Sequence, residues 1–236
     1  MSDSNIFVTL VNAHLTIGGQ AITWREIVGN AFGLASAIGG MRRKVWAWPV
    51  GIIGNALLFT VFFAVGFTGH GQEKLYGQAG RQVFFILTSI YGWWLWQRTK
   101  NKSADPDAPA VQPRWATARE RLGYVLVWAA GVLVCQWIFR TIGVDYWHPP
   151  EFYWWADAWI FVGSMLATYA MARGWTDFWL MWLAVDIVGV PELIYFKFYP
   201  SAVLYLVYAG FVVWGFFVWW RASREEQPVL QPAGQV

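Results

Sequence analysis

The chain has 236 residues, of which 57% are hydrophobic and 13% charged, and it contains 19 tryptophans and one cysteine. A soluble domain carries about 25% charged residues, so the composition excludes an ordinary water-soluble enzyme, a disordered chain and a disulfide scaffold. The net charge of +3 would suggest a nucleic acid partner in a soluble protein. Here the orientation of a membrane protein explains it better, and no nucleic acid partner is expected.

Seven stretches are long and apolar enough to cross a bilayer, which requires about 20 residues per helix. They lie at 22–40, 46–67, 75–97, 122–142, 154–173, 177–198 and 200–220. The sequence therefore predicts an all-α polytopic membrane protein with seven transmembrane helices. Residues 1–21 are predicted to form an interfacial segment, residues 98–121 a flexible cytoplasmic linker with several proline steps, and residues 221–236 a cytoplasmic tail.

The distribution of lysine and arginine predicts the orientation. Most basic residues outside the helices lie after the first, third, fifth and seventh spans, including Arg42, Arg43 and Lys44. Loops rich in lysine and arginine stay in the cytoplasm. We therefore expect a multi-pass protein of the cell membrane whose N-terminus is outside and whose C-terminus is cytoplasmic.

Two constant offsets relate the first three spans to the last three. Residues 91–98 match residues 214–221 at one offset, in a glycine, a tryptophan and an arginine. A second offset gives four further pairs: Glu26 with Asp157, Arg42 with Arg173, Trp48 with Trp179 and Asn55 with Asp186. Because these pairs share one register, an internal repeat explains them better than chance similarity of tryptophan-rich helices.

The repeat predicts the architecture. Residues 22–97 and 154–220 are interpreted as two three-helix repeats, joined by a connecting helix at 122–142. A three-helix unit ends on the side opposite to its start, so one extra crossing gives the second copy the same orientation. The predicted arrangement is 3+1+3 with parallel repeats, and a substrate site lies between them near mid-membrane.

Polar groups inside a span are costly, so Asn55 and Asp186 are the leading candidates for ligand contact. Trp179 and Trp182 share a helix face with Asp186, and such an aromatic surface beside a carboxylate suits a flat heterocycle carrying hydroxyl groups. The alternative is that the polar groups tie helices together. Ligand contact is favoured for Asp186, and the two interpretations are balanced for Asn55. The predicted substrate-binding residues are Trp48, Asn55, Gln82, Phe85, Trp179, Trp182, Asp186, Tyr205 and Tyr208.

Most other tryptophans are predicted to form aromatic belts at the membrane surface. The expected cytoplasmic belt comprises Trp93, Trp94, Trp96, Trp219 and Trp220. Three acidic residues, Glu26, Asp157 and Glu192, lie near the outer helix ends. They would suit an acidic mouth, but hydrogen bonding to helix ends or pairing with Arg25 or Lys197 is the preferred interpretation.

Motifs for catalysis are missing from the sequence, which has no phosphate-binding loop, nucleophile elbow or Cys/His metal cluster. We therefore expect no catalytic residue, no metal and no cofactor. No series of carboxylates within the spans indicates ion coupling. The oligomeric state is left open by the sequence, a homo-oligomer included.

Four segments resemble the PnuC family of vitamin transporters: W-A-W-P-V-G-I-I-G-N (46–55), Q-A-G-R-Q-V-F-F (78–85), Y-G-W-W-L-W (91–96) and V-D-I-V-G-V-P (185–191). The resemblance implies facilitated uptake of a water-soluble B vitamin by alternating access, with metabolic trapping by a cytoplasmic kinase. It also implies a site between the repeats formed by Asn55, Gln82, Trp182 and Asp186. The aspartate departs from the asparagine often found in nicotinamide riboside carriers.

The segment W-R-E-I-V-G-N-A-F-G-L-A-S-A (24–37) resembles an actinobacterial branch of that family, which includes riboflavin carriers. Riboflavin is the expected substrate, because the Asp186 carboxylate can accept hydrogen bonds from several ribityl hydroxyls. Nicotinamide riboside is the alternative, since the same carboxylate balances a pyridinium charge and tryptophan adds a cation–π contact. Two different kinds of membrane protein would also fit the sequence: a membrane-bound enzyme acting on a heteroaromatic substrate, and a substrate-capture subunit that needs an energising partner.

Overall fold

The computed structural model describes residues 14–17, 20–67, 76–102, 108–143, 150–195 and 199–225. These ranges form a β-hairpin and seven helices. The strands are β1 (His14–Ile17) and β2 (Gln20–Thr23). The helices are α1 (Trp24–Met41), α2 (Ala47–Phe67), α3 (Tyr76–Lys100), α4 (Ala118–Gly143), α5 (Glu151–Ala172), α6 (Phe178–Tyr195) and α7 (Tyr199–Glu225). Every predicted span therefore coincides with a helix.

The hairpin was not predicted from the sequence. It pairs His14 with Thr23 in antiparallel register, directly before α1. Thr23 then caps α1, because its hydroxyl accepts a hydrogen bond from the backbone N–H of Glu26 at 3.3 Å. This Thr-x-x-Glu pattern is a typical helix start. The remainder of the predicted interfacial segment lies outside the described residues.

Three segments are long and apolar enough to cross a membrane by length and composition: Ala118–Ile142, Phe178–Tyr195 and Tyr205–Arg224. A shorter apolar segment, Ala47–Val61, lies in α2. The helices α1, α3 and α5 have 18, 25 and 22 residues. Two of these helices place polar side chains against other helices, for example Gln82 and Asp157, and such residues lower the mean apolarity.

We call α1–α3 the first unit and α5–α7 the second unit. In the first unit α2 packs against both α1 and α3, and in the second unit α6 packs against both α5 and α7. The helix between the units, α4, packs against α5. Between the units, α3 packs closely along α5 within the described ranges, whereas α1 and α7 make sparse contact.

One pair of corresponding helix contacts places glycine on opposite partners in the two units. In the first unit this glycine is on α2, since a Cβ at Gly54 would lie 3.0 Å from the Phe32 Cβ on α1. In the second unit the glycine is on α5, where a Cβ at Gly163 would lie 2.7 Å from Val185 on α6. The offset that relates the sequence repeats pairs Phe32 with Gly163 and Gly54 with Val185. At this contact, α1 carries the larger residue and α2 the glycine, whereas α5 carries the glycine and α6 the larger residue.

Two buried tryptophans join the units reciprocally. The indole N–H of Trp96 in α3 donates to the carbonyl of Ala172, the last residue of α5, at 3.1 Å. The indole N–H of Trp219 in α7 donates to the carbonyl of Met41, the last residue of α1, also at 3.1 Å. Carbonyls in the last turn of a helix lack partners within that helix. Each tryptophan therefore satisfies the end of a helix in the other unit.

The belt prediction was wrong for Trp96 and Trp219, because both side chains are 0% exposed. Their indoles are needed inside the protein to satisfy helix ends. The neighbouring Trp93 and Trp94 are 42% and 54% exposed, which is the exposure expected of a belt. Near the start of α5, Trp155 is exposed, whereas Trp154 is buried.

Residues 108–117, which we call the linker segment, are held in place. The backbone N–H of Ala110 donates to the carbonyl of Arg43 at 2.9 Å, and the N–H of Arg114 donates to the carbonyl of Gly174 at 2.9 Å. Arg43 and Gly174 occupy the turns after α1 and α5, and both have left-handed backbones, with φ of 57° and 71°. The linker segment therefore forms backbone hydrogen bonds with the turn after α1 and with the turn after α5. We call this end of the bundle the linker end.

A buried carboxylate anchors the linker segment to the second unit. Asp177 is 2% exposed and accepts hydrogen bonds from the Ala116 N–H and the Arg121 Nε, both at 2.8 Å, and from the Tyr124 hydroxyl at 3.4 Å. The prediction of a flexible linker is therefore wrong for residues 108–117. Composition suggested flexibility, but the partners that order this segment are distant in sequence.

Candidate functional site

A cavity of about 360 Å³ lies where α1 faces α6 and α7. Cavities that bind small molecules usually enclose about 300–1,000 Å³ and are mostly apolar with a few polar groups. Its aromatic lining residues are Phe85, Phe178, Trp179, Trp182, Tyr205, Tyr208 and Phe211. Its polar side chains include Asn30, Ser164 and Asp186, and α1 adds Gly33, Ala37 and Gly40. The lining chemistry is suited to a flat, partly polar ligand.

The helix α6 supplies both aromatic surface and charge. Trp179, Trp182 and Asp186 are spaced so that they lie on one helix face, and all three line the cavity. Helix α6 begins at Phe178, and a rise of 1.5 Å per residue puts Asp186 about 12 Å from that end. The carboxylate therefore lies in the interior of the bundle rather than at its surface.

Asp186 is a buried carboxylate on the wall of the cavity. The residue is 7% exposed, and its Oδ2 has no hydrogen-bond partner among the described residues. A buried carboxylate is costly unless it is hydrogen-bonded or paired with a cation. Asp186 is thus able to accept hydrogen bonds from a ligand or to balance a ligand's positive charge. The indole Nε1 of Trp179 likewise lacks a partner within the described ranges.

The opposite wall of the cavity is formed by α7. Tyr205, Tyr208 and Phe211 present aromatic side chains to it, and the two tyrosines also bring hydroxyl groups. Together with Phe85 from α3, they place aromatic surface on several sides of the same space. The predicted residues Phe85, Trp179, Trp182, Asp186, Tyr205 and Tyr208 therefore surround one cavity.

Three other predicted site residues do not line the cavity. Trp48 is buried against Trp96, with ring centroids 5.2 Å apart and nearly perpendicular planes. Asn55 is half-buried elsewhere on α2. Gln82 is buried, and its Oε1 lacks a partner among the described residues. Ligand contact by Trp48, Asn55 and Gln82 stays a prediction.

The α3–α5 interface, which corresponds to the cavity region by the repeat, is filled by protein. Arg81 pairs with Asp157 at 3.2 Å, and both side chains are largely buried. Tyr91 stacks on Tyr169, with centroids 6.0 Å apart and planes within 10° of parallel. Asp157 thus has a partner other than Arg25 or Lys197. Arg25 instead donates to the Thr60 hydroxyl at 3.2 Å, and Lys197 lies outside the described residues.

Sequence reasoning missed the contribution of α1. Asn30, Gly33 and Ala37 line the cavity at spacings of three and four residues, so they form one helix face. The sequence signal was present in the segment 24–37. It was missed because small residues on a membrane helix usually indicate helix packing.

The sequence of the chain matches a known protein family. Residues 23–221 match the family model described as "Nicotinamide mononucleotide transporter". The chain belongs to this family. Membership makes it a multi-pass plasma membrane transporter rather than an enzyme, as the sequence predicted.

Two similar proteins are named as vitamin transporters. The chain is 38% identical over 215 residues to "Riboflavin/roseoflavin transporter RibM" of Streptomyces davaonensis, covering 91% of this chain and 93% of that protein. It is 24% identical over 235 residues to "Nicotinamide riboside transporter PnuC" of Escherichia coli, covering 92% and 93%.

A solved structure shares the fold. The crystal structure of the vitamin B3 transporter PnuC superposes with a TM-score of 0.64, covering 86% of this chain and 83% of that one. The sequence identity is 18%, so this likeness is evidence for the fold.

Proposed function

We propose that the protein mediates facilitated uptake of riboflavin. The observation that carries the proposal is the buried Asp186 carboxylate, whose Oδ2 has no partner among the described residues, beside Trp179 and Trp182 in the cavity. Riboflavin joins a flat ring system to a chain of hydroxyls. The aromatic walls suit the ring, and the carboxylate suits the hydroxyls through charge-assisted hydrogen bonds. The 38% identity to a riboflavin/roseoflavin transporter favours the same substrate.

Nicotinamide riboside is the second candidate, and the same carboxylate supports it. A pyridinium ring carries a positive charge that Asp186 would balance, while Trp182 would add a cation–π contact. The 24% identity to a nicotinamide riboside transporter is the lower of the two. Riboflavin therefore takes precedence.

The proposed mechanism is alternating access by two parallel three-helix repeats in a 3+1+3 arrangement, rocking around a vitamin held between them. Its support is the pair of reciprocal hydrogen bonds from Trp96 to Ala172 and from Trp219 to Met41, which relate the units by the sequence offsets. The linker end would face the cytoplasm with the C-terminus, since basic residues cluster there. A cytoplasmic kinase would trap the vitamin.

Uptake of labelled riboflavin into cells that lack their own flavin carrier tests the substrate. We expect saturable uptake by the wild-type chain and at least a tenfold loss of apparent affinity in Asp186→Ala, because hydrogen bonds to a charged group contribute about 1.5–3 kcal/mol. Asn55→Ala, at the corresponding position of α2, tests in the same assay whether the predicted contact of Asn55 with the ligand exists. Uptake of nicotinamide riboside without riboflavin would make the second candidate the substrate.

Purified protein in liposomes tests the mechanism. Without ATP or an ion gradient, the internal riboflavin concentration should rise to the external one and stop there. Enclosing a riboflavin kinase with ATP should then drive accumulation of the phosphorylated product. Accumulation above the external concentration without the kinase would contradict facilitated diffusion, and a requirement for a second protein would indicate a capture subunit.

A further inference from the structure

We propose that Gly33 determines substrate width: the missing side chain at this position leaves the space in which a multi-ring system lies between α1 and the aromatic wall of α6 and α7. The inference deepens the proposed function and rests on it. Gly33 would thereby discriminate between a vitamin with three fused rings and one with a single aromatic ring.

Gly33 is not a packing glycine. A Cβ built at Gly33 meets no atom within 4 Å, whereas a Cβ built at Gly29 would lie 2.9 Å from Leu58 and one at Gly54 would lie 3.0 Å from Phe32. The last two glycines allow α1 and α2 to approach. Glycine destabilises a helix interior relative to alanine, and no neighbouring atom would prevent a side chain at position 33. Because Gly33 also lines the cavity, we place the open space beside it in the cavity.

A second observation indicates a ligand in that space. Asp186 lines the same cavity, is 7% exposed and has an oxygen without a partner among the described residues. A ligand group that donates a hydrogen bond or carries a positive charge would satisfy this oxygen. Gly33 and Asp186 thus lie on the lining of one cavity, α1 supplying a bare backbone surface and α6 supplying the charge.

The residue of the second unit that corresponds to Gly33 also has a small side chain. The sequence offset pairs Gly33 with Ser164, which also lines the cavity. The Ser164 hydroxyl donates to the carbonyl of Ile160 at 2.6 Å, so its proton is used within its own helix. Neither position presses a large side chain into the cavity. On the α1 side, Gly33 and Ala37 add little side-chain bulk to the lining, which leaves room for an aromatic ring, and the hydroxylated chain of the ligand is directed to Asp186.

Replacement of Gly33 by larger residues tests the inference. Gly33→Ala and Gly33→Leu should fold, since the added atoms enter open space and both residues favour helix more than glycine does. Gly210→Leu is the matched control: a Cβ at Gly210 also meets nothing within 4 Å, and Gly210 is not among the cavity-lining residues. Thermal unfolding of each purified variant checks that the fold is intact.

Riboflavin uptake is then measured for each variant, with nicotinamide riboside as a single-ring competitor. We expect KM for riboflavin to rise in the order wild type, Gly33→Ala, Gly33→Leu, by at least tenfold at Leu. Competition by nicotinamide riboside should weaken far less, and Gly210→Leu should behave as the wild type. Normal riboflavin uptake by Gly33→Leu, or an equal loss for both compounds, would overturn the inference alone. A wild-type chain that takes up no riboflavin would overturn the proposed function and this inference with it.

Discussion

The two interfaces between the units have opposite characters. Along α3 and α5, protein groups fill the space with the Arg81–Asp157 ion pair and the Tyr91–Tyr169 stack. Along α1 and α7, the helices are separated by the cavity. One interface therefore holds the units together, while the other leaves room for a ligand.

Side chains at corresponding positions explain the difference. The repeat offsets relate Arg81 and Asp157 to Leu204 and Glu26, and leucine carries no charge to form an ion pair. Tyr91 corresponds to Trp214, which is 58% exposed and thus turned away from the protein interior. The α3–α5 interface is thus closed by an ion pair that the corresponding residue types along α1 and α7 could not form. The two units contribute different side chains to the lining of the cavity.

The largest effect is expected at the ion pair of the closed interface. Arg81→Ala leaves the Asp157 charge largely buried and unpaired, and breaking a buried pair costs about 3–5 kcal/mol. Unfolding in detergent, followed by circular dichroism, should show this loss. The double variant Arg81→Ala/Asp157→Ala should lose less, because no charge is left behind.

The exposed pair between Arg140 and Glu151 is the control for that experiment. Its side chains are 52% and 62% exposed, and an ion pair of this kind contributes about 0–1 kcal/mol. Arg140→Ala should therefore unfold almost as the wild type does. An equal loss in Arg81→Ala and Arg140→Ala would show that burial of the first pair does not strengthen the closed interface.

An intermediate effect is expected at the reciprocal tryptophans. Trp96→Phe and Trp219→Phe each remove an indole N–H and leave the carbonyl of Ala172 or Met41 without its donor. An unsatisfied buried polar group costs about 1–3 kcal/mol. Equal losses of unfolding free energy in the two variants would show that the two hydrogen bonds join the units equally at the linker end. Trp94→Phe, at an exposed position, should unfold as the wild type does.

The smallest effect is expected for the aromatic stack. Aromatic pairs contribute about 0.5–1.5 kcal/mol beyond the area that they bury. A double-mutant cycle with Tyr91→Leu and Tyr169→Leu should give a coupling energy in this range. Ile38→Leu, at the position corresponding to Tyr169, should show no coupling to Tyr91→Leu. Coupling near zero for the tyrosines would mean that the closed interface depends on the ion pair and Trp96.

The helices could be predicted from sequence because bilayer thickness imposes a length and an apolar composition that are visible locally. The predicted binding residues on α6 and α7 surround the cavity, since helical spacing places Trp182 and Asp186 on one face. Trp48 and Asn55 were predicted by their equivalence to Trp179 and Asp186. The repeat could not reveal that the corresponding interface is closed by Arg81.

Other features depended on partners far away in sequence. Trp96 and Trp219 were assigned to a belt because tryptophan serves both at membrane surfaces and in buried hydrogen bonds. Which use applies depends on whether a helix end lies within reach. The order of residues 108–117 depends in the same way on Arg43 and Asp177.

The different positions of glycine in the two units limit which helices can be exchanged between them. Phe32 fits beside Gly54, and Gly163 fits beside Val185, so at this contact the two helices of each pair are matched to one another. A chimera that places α1 against α6 would set Phe32 against Val185, and one that places α5 against α2 would set Gly163 against Gly54. The first would be overpacked and the second would contain a void. The smallest exchangeable module is therefore the helix pair rather than the single helix, and engineered or evolutionary shuffling must move α1 with α2 and α5 with α6.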